Sequence, residues 1–153
     1  MNAAASNSRW PEAVYLVLAV IGLVGTNAQL PAYLPEGFVA GTLHFWKDAL
    51  VMPAGVFLVV DIFVLGTAVF VWMFGECRRL GIAPWMAWVY LLGSLLIGIS
   101  VFVPLFMAHR QRRLRALHPE QQVDAAGSDF IGIALALALV AAAFVYSLTH
   151  MPQ

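Results

Sequence analysis

The chain has 153 residues, 62% of them apolar and 10% charged, too little polar surface to clothe a single water-soluble domain. Eight Lys and Arg balance eight Asp and Glu, so no overall charge argues for nucleic acid or an acidic partner. The one cysteine, Cys77, excludes an internal disulfide, a thiol pair and a zinc site built mainly on thiolates.

Four apolar runs are long enough to cross about 30 Å of hydrocarbon as helices, which takes roughly twenty residues rising about 1.5 Å each. They cover about 13–30, 54–74, 85–108 and 130–148. Backbone groups in lipid must be satisfied within a segment or in a closed barrel, and none of these runs alternates with a period of two. The expectation is therefore an all-α integral membrane bundle of four transmembrane helices in one domain. Pro11, Pro53 and Pro84 open the first three spans, and Ser128 with Asp129 could cap the fourth. Tryptophans and tyrosines near the span ends, such as Trp10, Trp46, Trp85 and Tyr146, suit the water interfaces. A cleaved signal peptide ending near Thr26, Asn27 and Ala28 is an alternative for the first run, although Arg9 opposed by Glu12 makes a poor basic leader.

Between the first two spans, Phe38, Leu43, Phe45, Trp46, Leu50 and Val51 stand beside His44, Lys47 and Asp48, which predicts a short interfacial helix. After the third span, residues 109–128 read as a polar loop. Arg110, Arg112, Arg113 and Arg115 at its start suit anionic lipid headgroups and the fixing of topology. Four spans put both termini on one face with Arg9, Arg78 and Arg79, opposite Lys47 and these four arginines. Five basic residues against three favour termini outside and the arginine loop in the cytoplasm.

Asp61 is the one charged residue well inside a span. A carboxylate at such depth costs about 2.5–3.5 kcal/mol on insertion scales, so it is normally neutral, paired or in a polar cavity. Counting about 1.5 Å per residue puts Asp61, Asn27, Thr26 and Ser100 at similar depth, a candidate intramembrane polar site. Such a layer would serve either as hydrogen-bonded glue between helices or as a protonation-linked binding site. Ala54, Phe57, Leu58, Leu65, Ala68 and Trp72 share the helix face of Asp61.

His44, His109, His118 and His150 lie outside the spans without a Glu-x-x-His pattern, so neither a metal nor another cofactor is expected. Small residues four apart, Ser94 with Gly98, Gly132 with Ala136 and Ala138 with Ala142, favour close helix packing within or between protomers. No nucleophile stands with a base and an orienting group, so no enzyme is expected.

Several of these residues form a pattern: Phe57, Asp61, the run GECRRLG from Gly75 to Gly81, Trp85, and Pro104, Leu105 and Phe106 before the arginines, preceded by YLVLAVIGLVGT from Tyr15 to Thr26. Over roughly residues 14–115 the chain resembles a family of small bacterial membrane proteins, domain of unknown function 2834. The resemblance implies three spans, an acid in the second, an acidic and basic turn after it, and a basic exit from the third. Asp61, Glu76, Arg78, Arg79 and Arg110 occupy those places. Where the family often has Gly after its Glu, this chain has Cys77, which argues against a shared role for the thiol. The fourth span looks like an addition that moves the C-terminus across the membrane.

The expectation for function is a multi-pass protein of the bacterial inner membrane serving as an accessory or interaction subunit. Its expected partners are membrane lipids and either further copies of itself or a larger membrane complex. A proton-coupled small-molecule carrier using Asp61 is the first alternative, and a carotenoid, quinone or lipid binding protein the second.

Overall fold

The computed structural model describes residues 9–117 and 127–150, with the side chains of 127–129 outside the description. The described chain is all-α: α1 (Trp10–Asn27), two short 3-10 turns, α2 (Phe38–Val51), α3 (Pro53–Arg79), α4 (Pro84–Leu96), α5 (Ile99–Leu117) and α6 (Gly127–Thr149). Three stretches are long and apolar enough to cross a membrane: Trp10–Ala32, Pro53–Arg79 and Phe130–Thr149. Prolines at the first turns of α1, α3 and α4 sit where a missing N–H costs nothing. The helix expected before the second span is α2, of whose residues only Gly41 is buried. Helix α6 starts before Ser128 and Asp129, which therefore lie inside it.

The third span expected over Trp85–Ala108 is not one helix. It divides at Ile97 and Gly98 into α4 and α5, which fold back on each other. Gly98 has φ +152°, a conformation that favours glycine. Phe102 occupies the space where a Cβ on Gly93 would stand, and the Tyr90 hydroxyl lies 3.0 Å from Nδ1 of His109. These contacts run in opposite directions along the two helices, the signature of an antiparallel hairpin. Hydropathy cannot register this reversal, because the apolar run continues unbroken across the turn to Ala108.

The other pairings follow from named contacts. Helix α1 runs antiparallel to α5, with Gly22 against Ser100 and Glu12 against Arg112 and Arg115. Helix α3 runs parallel to α5, through Gly66 with Ile99, Trp72 with Phe106, and Glu76 with Arg110. Helix α6 runs parallel to α1, through Trp10 with Phe130, Gly25 with Phe144, and Gln29 with Ser147. Buried Met73, Cys77, Leu80, Ile82, Ala87, Tyr90 and Phe106 form the core where α3, α4 and α5 meet.

The hairpin reverses the chain once more than expected, and with it the expected division of charges fails. Arg79 and Arg110, expected on opposite faces, share one carboxylate, so Arg9, Arg78 and Arg79 lie at the same end of the bundle as Arg110, Arg112, Arg113 and Arg115. Lys47, on α2, belongs to the other end. The expected polar loop is also shorter, because residues 109–117 continue α5. Its remainder from His118 to Ala126 lies outside the described residues.

Candidate functional site

Two features stand out: a latch of paired charges at the arginine end, and the outward face of α3. The latch is built on two buried carboxylates. Glu76 accepts hydrogen bonds from Arg79, Nε to Oε2 at 2.8 Å and Nη2 to Oε1 at 2.6 Å, and from Nε of Arg110 at 2.6 Å. The Arg110 guanidinium also lies 5.6 Å from the centre of the Trp72 ring, within cation–π range. Glu12 accepts from Arg112 and Arg115, joining the start of α1 to the end of α5. Arg113 donates to the carbonyl oxygens of Leu80 and Gly81, at 3.4 and 3.1 Å, where α3 ends and its dipole favours a cation.

His109 completes this end of the bundle. Burial holds its imidazole below the ordinary histidine range, and the charges of Arg113 and Arg112 push in the same direction. Its Nδ1 lies within hydrogen-bonding distance of the Tyr90 hydroxyl. His44 sits at the opposite end, its Nδ1 2.7 Å from Oε1 of Glu36, so the two histidines do not share a face. No cluster of three or more His, Cys, Asp or Glu with metal-binding geometry occurs among the described residues.

Of the four residues expected in one polar layer, three come together: Asn27 donates from Nδ2 to Oγ1 of Thr26 at 3.4 Å, and Thr26 and Ser100 flank Gly98. A Cβ on Gly98 would lie 3.6 Å from Oγ of Ser100 and 3.7 Å from Oγ1 of Thr26. Thr26 donates to the Gly22 carbonyl at 2.6 Å, and Asn27 donates to the Leu23 carbonyl at 2.7 Å, so both satisfy their own helix. Asp61 is apart from them: it is exposed on α3 and has no side-chain hydrogen bond or ion pair among the described residues.

The surroundings of Asp61 follow from the helical repeat. Phe57, Asp61, Val64, Ala68, Val71 and Gly75 alternate in steps of four and three, which lines them along one stripe. All six are exposed, with Phe57, Val64 and Val71 at 71%, 66% and 70%. The opposite side of α3 carries Gly66, Met73 and Cys77, which are buried in the protomer. The long outward stripe therefore has no partner among the described residues, and it holds Asp61, the one Asp, Glu, Lys or Arg among them well inside a candidate span.

Sequence reasoning missed Glu12 and Glu76 as anchors because charges at helix ends normally read as solvated. The signal available for Glu76 was Arg79 three residues on, whereas its pairing with Arg110, and that of Glu12 with Arg112 and Arg115, arises only once the hairpin turns α5 back.

These features define a class: an α-helical protein with three helices long and apolar enough to cross a membrane and a carboxylate-anchored arginine cluster at one end of the bundle. Residues 14–112 match the family model described as protein of unknown function DUF2834, and the chain belongs to that family. The matched region runs from α1 into α5, and α6 lies beyond it. No curated protein and no solved structure is similar to the chain.

Proposed function

We propose that the protein is an accessory subunit of the bacterial inner membrane that assembles through the outward stripe of α3, with a second copy of itself as the occupant. The observation that carries this reading is Asp61, an ionisable group at mid-span on an unpartnered face. Leaving it against lipid would cost about 2.5–3.5 kcal/mol on insertion scales. The steps of four and three match a left-handed helix pair, and Ala68 and Gly75 let two backbones approach closely. In a parallel two-fold pair, equivalent positions meet, so each Asp61 faces its counterpart. Two neutral acids, or an acid and a carboxylate sharing one proton, then hydrogen bond to each other rather than facing hydrocarbon.

The arginine distribution supports an orientation. Seven of the eight basic residues belong to one end and Lys47 to the other, so the positive-inside rule places the arginine end in the cytoplasm. Helix α1 starts on that side, and α6 carries the chain back across. Helix α2, exposed on most sides, then lies along the opposite interface, where Phe38 and Val39 can enter the headgroup boundary.

The test is fluorescence energy transfer between two labelled pools of full-length protein in lipid vesicles, diluted with excess lipid. Wild type is expected to associate, and Ala68→Phe, which keeps the backbones apart, to separate. Transfer no greater than random proximity would refute self-assembly, and association with a different protein retained from native membranes would replace the second copy as occupant. A proton-coupled carrier is the second reading, favoured by the same mid-span carboxyl. It requires ligand binding that releases or takes up protons in wild type but not in Asp61→Asn.

A further inference from the structure

Helices α1 and α6 touch at both ends, through Trp10 with Phe130 and through Gly25 with Phe144, and part between these contacts. The gap is a slot of about 240 Å³, walled by Val14, Tyr15 and Leu18 on α1 and by Ile133, Ala136 and Val140 on α6. Its lining is almost wholly apolar, so water has too few polar partners to fill it. Its volume falls below the roughly 300–1,000 Å³ of drug-sized sites, which suits a narrow, flexible chain.

The slot is closest to the arginine end. Trp10 and Pro11 line it; exposed Arg9 precedes them, and Glu12, which follows, holds Arg112 and Arg115. Two arginines on one carboxylate leave a positive charge there, and the Arg112 side chain is 60% exposed. Seven arginines at this end outnumber Glu12, Glu76 and the acids that follow Leu117 in the sequence, Glu120, Asp124 and Asp129. We propose that the slot between α1 and α6 seats one acyl chain of an anionic phospholipid whose phosphate is held by Arg9 and Arg112. This goes beyond assembly through α3 and rests only on the membrane placement.

The division of labour follows from the solvent. An acyl chain gains little hydrophobic free energy on leaving one hydrocarbon for another, so the slot contributes packing and position. Selectivity comes from the arginines, each shifting the preference for an anionic over a zwitterionic lipid by about fivefold near the surface. The experiment is native mass spectrometry of the full chain released from vesicles of equal phosphatidylglycerol and phosphatidylcholine. Wild type is expected to retain one phosphatidylglycerol per protomer. Ala136→Phe, which fills the slot and leaves every arginine in place, is expected to lose it, whereas Leu135→Phe, on an exposed position of the same helix, retains it. Arg9→Gln with Arg112→Gln is expected to keep one lipid but lose the preference for the anionic headgroup. Circular dichroism checks that each variant stays helical, and Ala136→Leu serves if the larger side chain disturbs α6. Equal retention of the two lipids by wild type, or phosphatidylglycerol retention unchanged by both slot-filling variants, would overturn the proposal. Energy transfer between copies reads the α3 interface separately.

Discussion

Substituting Glu76 by Gln should loosen the end of the bundle where α3 and α5 meet. The Glu76 side chain is 7% exposed and that of Arg110 is 21%, so this arm of the ion pair is mostly out of water. Gln keeps the shape and one acceptor but leaves the Arg110 charge without its counterion. Hydrogen bonds to charged groups contribute about 1.5–3 kcal/mol, and breaking a fully buried pair costs about 3–5 kcal/mol. The partial exposure of Arg110 keeps the expected loss below that of a fully buried pair, at about 2–3 kcal/mol. The Arg79 arm faces solvent and adds little. Pairing Glu76→Gln with Arg110→Met removes the stranded charge, so the double variant should recover at least about half of the loss. Unfolding in mixed micelles, followed by tryptophan fluorescence as denaturing detergent is added, measures both. A Glu76→Gln protein within about 0.5 kcal/mol of wild type, the range of neutral surface changes, would refute the reasoning. So would a double variant that unfolds as readily as the single one.

Gly22→Ala puts a Cβ 2.6 Å from the Ser100 carbonyl oxygen, so α1 and α5 must separate, and thermal unfolding should show a loss of about 1–3 kcal/mol. An unchanged melting curve would mean that the two backbones are not in contact there. For His109 the folded protein favours the neutral ring, so the unfolded chain takes up a proton first as pH falls below the ordinary value of 6.5. Stability should therefore be full above that pH and decline as acid titrates down through the lowered folded value, a decline that His109→Gln should flatten. Melting temperatures of both proteins between neutral and mildly acidic pH check this. In a Cys77→Ala background, an impermeant maleimide added to intact cells should label Lys47→Cys and leave Arg9→Cys unlabelled until the membrane is opened. The reverse pattern would contradict the assigned orientation.

The candidate spans in α1, α3 and α6 were legible because each is apolar over nearly its whole length, bounded by proline or charge, and too long for a core helix. The family was legible too, from Asp61, the run after Gly75 and the exit through Pro104. The α4–α5 reversal was not, because its determinants are local and steric. Gly93 admits the Phe102 ring and Gly98 adopts a positive φ, while the hydropathy of Trp85–Ala108 stays that of one span. Without that turn, the end of α5 and the start of α6 fall at the wrong end of the bundle. Arg110 was set opposite Arg79 although both bind Glu76, and Ser100 was given a depth by counting from the wrong end. Asp61 was legible as an exception, whereas its isolation from Thr26, Asn27 and Ser100 depends on which helix faces pack, and residue counting alone does not determine that.

Assembly through α3 makes a periodic prediction that disulfide scanning tests directly. Single cysteines are placed in a Cys77→Ala background along α3 in native membranes, at Phe57, Asp61, Val64, Ala68 and Val71, and at Val60, Ile62 and Thr67 as off-stripe positions. Oxidation should link copies of the chain at the stripe positions and leave the other three monomeric, with a repeat of alternating four and three. Equal linking at all positions, or none at any, would contradict the claim that this face with Asp61 is where the protein meets its own second copy.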